Sequence, residues 1–114
     1  HAIYLQIADY FVENILKKKW EVGARIPSVR EMAVQLEVNP NTVARTYNYL
    51  QEKDIIYNKR GIGYFVTETG YNKALEMKKQ EFITHDVPAF FRKMELLDMN
   101  IEKVYRLYNE HKNN

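Results

Sequence analysis

Apolar residues at the start of the chain recur at helical spacing: Ile3, Ile7, Phe11 and Ile15 form one stripe, and Tyr4, Ala8, Val12 and Leu16 form the next. The pattern predicts an amphipathic helix from Ile3 to about Lys19 with a broad apolar face. Lys17, Lys18 and Lys19 then crowd its last turn, where the helix dipole favours positive charge. They read either as a solvated helix end or as direct phosphate contacts. Trp20-Glu-Val-Gly23 turns the chain, and Arg25-Ile26 is long enough only for a short strand.

The periodicity then becomes tighter. Ser28-Val-Arg-Glu31 is a capping box, in which the serine hydroxyl accepts from the Glu31 amide and the carboxylate reaches back to the serine amide. Pro27 keeps anything upstream from continuing into this helix. Val29, Met32, Ala33 and Leu36 give it about two turns. Asn39 caps a second helix with Pro40 at its first position, where the missing N–H costs nothing. Val43, Tyr47 and Leu50 face inward, which leaves Asn41, Thr42, Ala44, Arg45 and Asn48 facing out. Two short helices joined by a tight turn, the second with an exposed polar amino-terminal end, make a helix-turn-helix.

Ile55-Ile-Tyr57 and Tyr64-Phe-Val66 are β-prone runs flanking Asn58-Lys-Arg-Gly-Ile-Gly63, so a hairpin with a basic tip follows the helix pair. A hairpin in that place is a wing. Lys59 and Arg60 can reach phosphate or a minor groove from its tip, and Gly61 and Gly63 permit positive φ and close backbone approach.

From about Gly70 the pattern is helical throughout. Tyr71, Leu75, Phe82 and Ile83 suggest one helix, and Asp86 with Pro88 marks a new start. Phe90, Met94, Leu97, Ile101, Val104 and Tyr108 then alternate by four and three residues, which is heptad spacing. A continuous coiled coil fits this, but the cap offered by Asp98-Met-Asn100 before Ile101 favours two helices meeting at a short turn. The stripe formed by Phe82, Phe90, Met94, Leu97, Ile101, Val104, Tyr105 and Tyr108 predicts a homodimer interface, against the alternative of packing on its own winged helix. The expected architecture is therefore mainly α with a small β-hairpin wing. A winged helix-turn-helix domain over residues 1–69 precedes a short all-helical dimerisation segment over 70–114.

Composition narrows the function classes. Hydrophobic residues at 46% and charged residues at 28% suit a folded globular chain of 114 residues. No apolar run approaches the roughly 18 residues of a membrane span, and no secretory pattern opens the chain. With no cysteine there is no disulfide framework and no thiolate metal site, which fits a cytoplasmic setting. The chain begins at His1 with a helix almost at once, which predicts that a few residues precede it in the full protein. A net charge of +2 does not announce a polyanion partner, so any basic surface must come from placement.

Taken together, Ile3-Tyr-Leu-Gln-Ile7, Ile26-Pro-Ser-Val-Arg-Glu31, Asn39-Pro-Asn-Thr-Val43, Tyr47-x-x-Leu50 and Arg60-Gly-Ile-Gly-Tyr-Phe-Val66 resemble the winged-helix domain of GntR-type bacterial transcription regulators. The resemblance covers about residues 3–67 in one register. It implies a dimeric repressor that reads a palindromic operator on double-stranded DNA. It places Arg30, Asn41, Thr42, Arg45, Arg60 and Gly61 against DNA, with Ser28, Asn39 and Lys59 beside them. The short helical tail resembles the YtrA subfamily, which implies little beyond a dimerisation segment and an association with transporter genes. Two positions depart from the family pattern. Glu37 stands where many members have glycine, which weakens the expectation of a left-handed residue there, and Ala44 stands where many have a basic residue, so operator sequences do not transfer.

Most of the site residues have competing roles. Arg45, one turn beyond Asn41, can grip a guanine bidentately or only position a phosphate, while asparagine can do the same for adenine. Thr42 can meet a phosphate or a thymine methyl, or only assist the helix start. Arg30 can neutralise a backbone phosphate or pair with Glu31 or Glu52. Ser28 is a cap before it is a phosphate ligand. No enzyme is expected: His1, His85 and His111 are isolated, no cluster has metal spacing, and Gly61-x-Gly63 alone is not a phosphate-binding fingerprint. No cofactor is implied, and any small-molecule effector is left unidentified, with the dimer interface its expected place. The alternative is a winged helix serving as a protein–protein adaptor without specific DNA binding.

Overall fold

The computed structural model describes residues 2–114. Its elements in chain order are α1 (Ile3–Leu16), β1 (Arg25–Ile26), α2 (Val29–Leu36), α3 (Pro40–Glu52), β2 (Ile56–Lys59), β3 (Gly63–Val66), α4 (Gly70–Glu81), α5 (Val87–Leu96) and α6 (Ile101–Lys112). They group into two compact units, His1–Met77 and Lys78–Asn114.

In the first unit the apolar stripe of α1 delivers Ile7, Phe11, Val12 and Ile15 to the core. Met32 from α2, Val43, Tyr47 and Leu50 from α3, Ile26, Ile56 and Val66 from the sheet, and Ala74 from α4 close over it. Aromatic rings organise the centre. Phe11 lies 4.8 Å from Trp20 and 5.1 Å from Tyr47, and Tyr47 lies 4.8 Å from Tyr64. Tilted and edge-on contacts of this kind add to the area that the rings bury.

Helix α1 stops at Leu16, short of the Lys19 expected from the sequence. Lys18 adopts a left-handed φ of 60°, and the amides of Lys18 and Lys19 donate to the carbonyls of Ile15 and Asn14 at 3.0 and 2.9 Å. This is a Schellman ending, and it brings Trp20 back onto Phe11. The three lysines therefore occupy the turn after the helix, not its last turn. The same paired bonds, with a left-handed non-glycine residue, end α2 at Glu37, α3 at Asp54 and α5 at Asp98. Glu37 has φ 55° and ψ 45°, so the left-handed turn forms without the glycine.

The sheet is three-stranded and antiparallel in the order β1-β3-β2, so the strand preceding the helix pair completes the wing from one edge. Ile56 opposes Val66 toward the core, while Tyr57 opposes Phe65 on the other face with their rings stacked at 5.7 Å. At the tip the Ile62 amide donates to the Lys59 carbonyl at 2.9 Å, with Gly61 at φ 77°. A positive φ at the third residue of a four-residue turn is what glycine provides most cheaply.

In the second unit the expected new start at Asp86 does not occur. Asp86 is itself helical, with φ −73° and ψ −43°, and makes no side-chain cap. The backbone instead widens into a π-helical segment, Phe82–Asp86, in which the Val87 amide reaches back to the Phe82 carbonyl. Proline lacks the amide for the regular ladder and crowds the carbonyl four residues earlier, so one wider turn lets the helix run on past Pro88. The break at residue 100 does form: the Asn100 side chain accepts from the Lys103 amide at 2.9 Å and opens α6.

Candidate nucleic-acid interface

Each recognition element is fixed by short-range chemistry. At the start of α2, Ser28 Oγ accepts from the Glu31 amide at 3.1 Å, and the Ser28 amide donates to Glu31 Oε1 at 3.0 Å. The Ser28 amide first, and the Ser28 hydroxyl second, hold the Glu31 carboxyl below the usual glutamate range. At the start of α3, Asn39 Oδ1 accepts from the Asn41 amide at 2.7 Å. The acceptor atoms of Ser28 and Asn39 are thus engaged as caps.

The inner face of α3 locks its rotation. The fully buried Thr46 hydroxyl can donate to the Tyr4 carbonyl of α1 at 2.8 Å or to its own Thr42 carbonyl at 3.2 Å. The Tyr47 hydroxyl donates to the Pro27 carbonyl, just ahead of α2. Burial pushes the Tyr47 phenol well above the ordinary tyrosine range, with Tyr64 and Glu31 adding to the shift. With Val43, Thr46, Tyr47 and Leu50 turned inward, Asn41, Arg45 and Asn48 are exposed, and Thr42 and Ala44 are half-buried.

Arg45 is not a loose cation. Its guanidinium carbon lies 3.9 Å from the centroid of the Tyr4 ring, and that ring meets Tyr49 edge-on at 6.1 Å. Arg30 is exposed in the first turn of α2, and the cation that acts on Glu31 is Arg25 instead. On the wing, Lys59, Arg60 and Gly61 are exposed, with the Lys59 ammonium 5.9 Å from the centre of the Phe65 ring. The Arg25 side chain lies beside Gly63, at the tip end of the wing where Gly63 pairs with Lys59, and a Cβ added at Gly63 would meet Arg25 Nε at 2.9 Å.

The pattern of the sequence puts Arg25 on a short strand but indicates none of the contacts of Tyr4, Thr46 and Arg25. Tyr4 reads there only as part of an apolar stripe, and a threonine inside a helix offers no periodic signal. The one available hint is that Thr46 follows the inward Val43 by three residues.

Among the described residues no group of three His, Asp or Glu side chains is placed to hold a metal ion, and no helix is long and apolar enough to cross a membrane. His85 and His111 are exposed, while His1 lies outside the described residues. The candidate dimerisation stripe is largely uncovered. Phe82, Phe90, Leu97, Ile101, Tyr105 and Tyr108 are exposed and Met94 and Val104 half-buried, and neither α5 nor α6 contains a buried residue. An apolar groove of about 430 Å³ runs between α5 and α6, lined by residues that include Phe90, Met94, Leu97 and Val104.

The model of bacterial regulatory proteins of the gntR family matches residues 3–66. The HTH-type transcriptional regulator YhcF of Bacillus subtilis is 35% identical over 102 residues, which span 90% of this chain and 83% of YhcF. The HTH-type transcriptional repressor YtrA of the same organism is 38% identical over 76 residues, 67% of this chain and 58% of YtrA. A crystal structure of a GntR-family protein from Bacteroides thetaiotaomicron superposes with a TM-score of 0.81 at 43% identity, covering 99% of this chain and all of that one.

Proposed function

The chain belongs to the gntR family as a YtrA-like, DNA-binding transcription regulator, and on that premise we propose that it is a cytoplasmic repressor that binds a palindromic operator as a homodimer. The observation that carries this reading is the polar amino-terminal face of α3. Asn41 and Arg45 stand exposed one turn apart on a helix whose rotation is fixed by Thr46 and Tyr47. A helix held this way presents side chains to a major groove at low entropic cost.

In this reading Arg45 donates bidentately to a guanine, Asn41 meets an adenine, and Thr42 meets a phosphate or a thymine methyl. Arg30 neutralises a backbone phosphate, with Ser28 and Asn39 beside it at the two helix starts. Lys59, Arg60 and Gly61 bring the wing tip to the sugar–phosphate edge or minor groove. Ala44 adds no charge, so the basic footprint is narrow and rests on few cations.

Residues 1–69 form the DNA-binding domain and 70–114 the dimerisation segment. Support for the latter is the exposure of Leu97 at 65%, Ile101 at 61% and Tyr105 at 64%, a surface that two short helices do not need for themselves. Pairing these stripes sets two recognition helices one DNA turn apart, roughly 34 Å, or a multiple of it. Repression is carried over from the relative YtrA, and control of transporter genes from the subfamily resemblance.

Fluorescence anisotropy against the DNA upstream of the chain's own gene, at two salt concentrations and beside scrambled DNA of equal length, tests the proposal. Preferred, salt-sensitive binding supports it, since contact with about six phosphates makes affinity fall steeply with salt. Absence of all DNA binding would replace it with the protein–protein adaptor.

A further inference from the structure

We propose that Tyr4, on the first turn of α1, is a positioning residue for DNA recognition: its ring holds the Arg45 guanidinium in place on the exposed face of α3. The inference rests on the DNA-reading role proposed for Arg45. Three observations place Tyr4 in this role.

The first is contact. The guanidinium carbon sits 3.9 Å from the ring centroid, the distance of direct face stacking. The second is support. Tyr4 is held at both its ends, because Tyr49 of α3 meets its ring edge-on at 6.1 Å and its carbonyl lies 2.8 Å from the Thr46 hydroxyl. The third is what the contact leaves available. A ring against the guanidinium face uses none of the five N–H groups, which lie in the guanidinium plane and point outward from its edge. A carboxylate partner would occupy those donors. A tyrosine face restricts the side chain and leaves its hydrogen-bonding edge open to a base or a phosphate.

Tyr4 thus lies outside the helix-turn-helix yet fixes one of its side chains. Arg45 carries much rotamer freedom, and immobilising it before association removes a cost that binding would otherwise bear. The α1 helix becomes part of the recognition surface through one residue, without touching DNA itself.

The test is a double-mutant cycle in the full chain. The probe is a duplex selected by the full chain from a random DNA library, compared with scrambled DNA of equal length. Tyr4→Leu, which keeps apolar bulk and removes the ring face, is expected to lower the preference for the selected duplex about two- to fivefold. Tyr4→Phe, which keeps the face, is expected to restore it. In the Arg45→Ala background Tyr4→Leu should have no further effect, because the partner is gone. Thermal unfolding of each variant separates lost recognition from lost folding.

A Tyr4→Leu defect that persists undiminished without Arg45, or that Tyr4→Phe does not restore, would mean that the residue acts by packing alone and would overturn the proposal. So would unchanged or tighter binding by Tyr4→Leu. If Arg45→Ala alone leaves binding and preference untouched, the DNA role of Arg45 fails instead, and the inference falls with it.

Discussion

The Tyr47 hydroxyl on α3 donates to the carbonyl of Pro27, two residues ahead of α2, so one hydrogen bond ties α3 to the segment that leads into α2. The bond is made from the middle of the core, where the Tyr47 ring also meets Phe11 and Tyr64. Tyr47→Phe keeps those ring contacts and leaves the Pro27 carbonyl without its donor. It should lower stability by about 1–2 kcal/mol in urea unfolding.

The same residue contributes to stability at alkaline pH. Its phenol titrates above the ordinary 10.0 in the folded chain, chiefly because burial disfavours the anion. The folded state therefore holds this proton more tightly than the unfolded state. The contribution is complete below pH 10.0 and is lost as pH rises beyond it. Unfolding curves recorded on either side of that pH should show a steeper loss of stability in the native chain than in Tyr47→Phe.

Glu31 works in the opposite direction. Its carboxyl titrates below the ordinary 4.5, held there first by the Ser28 amide. The stability that it contributes is present above pH 4.5 and is lost as pH falls through the lowered value. Glu31→Gln should remove that part of the acid dependence while preserving the neutral reach to the Ser28 amide. The side-chain titration of Glu31, followed by NMR, checks the direction. A midpoint at or above the ordinary value would contradict the reciprocal cap.

Glu37→Gly should stabilise the chain. A left-handed residue with a Cβ costs about 1–2 kcal/mol, while glycine costs about 0.5–1 kcal/mol through unfolded-state entropy. The difference predicts a gain of about 0.5–1 kcal/mol, read as a higher melting temperature with the same helical content. A loss would show that the Glu37 side chain makes a compensating contribution.

Gly70 answers a different need. A Cβ at Gly70 would lie 2.7 Å from Val66 Cγ1 and 2.8 Å from the Ile55 carbonyl, so α4 begins in direct contact with the end of the sheet. Gly70→Ala should cost about 1–3 kcal/mol, the range for overpacking a filled site. Melting of Gly70→Ala beside Gly70→Ser tests this, since both add the same Cβ.

If the proposed homodimer pairs through this stripe, Leu97→Asp with Tyr105→Asp should convert it to a monomer in sedimentation analysis without loss of helical signal, because α5 and α6 contain no buried residue. A dimer that survives both charges would remove the stripe from the interface.

The sequence by itself determined the elements whose causes are local. The Ser28–Glu31 box, the Asn39-Pro40 start, the Asn100 cap and the glycine-bearing hairpin tip each depend on atoms a few residues apart, and each forms as the pattern predicts. The inward set Val43, Tyr47 and Leu50 followed from helical period alone. Tertiary structure decided what depends on residues distant in the chain. The strand Arg25–Ile26 pairs with β3 about forty residues later, which no local pattern specifies. Helix α1 ends early in a left-handed turn at Lys18 that sets Trp20 on Phe11, and the Pro88 helix runs on through a wider turn where the sequence suggested a restart. In the sequence Arg45 reads as an outward-facing residue for a guanine or a phosphate, with no partner within the chain. Only the fold brought the ring of Tyr4, 41 residues earlier, against its face, because stacking depends on how α1 and α3 are packed, and periodicity reports only which faces of those helices are apolar.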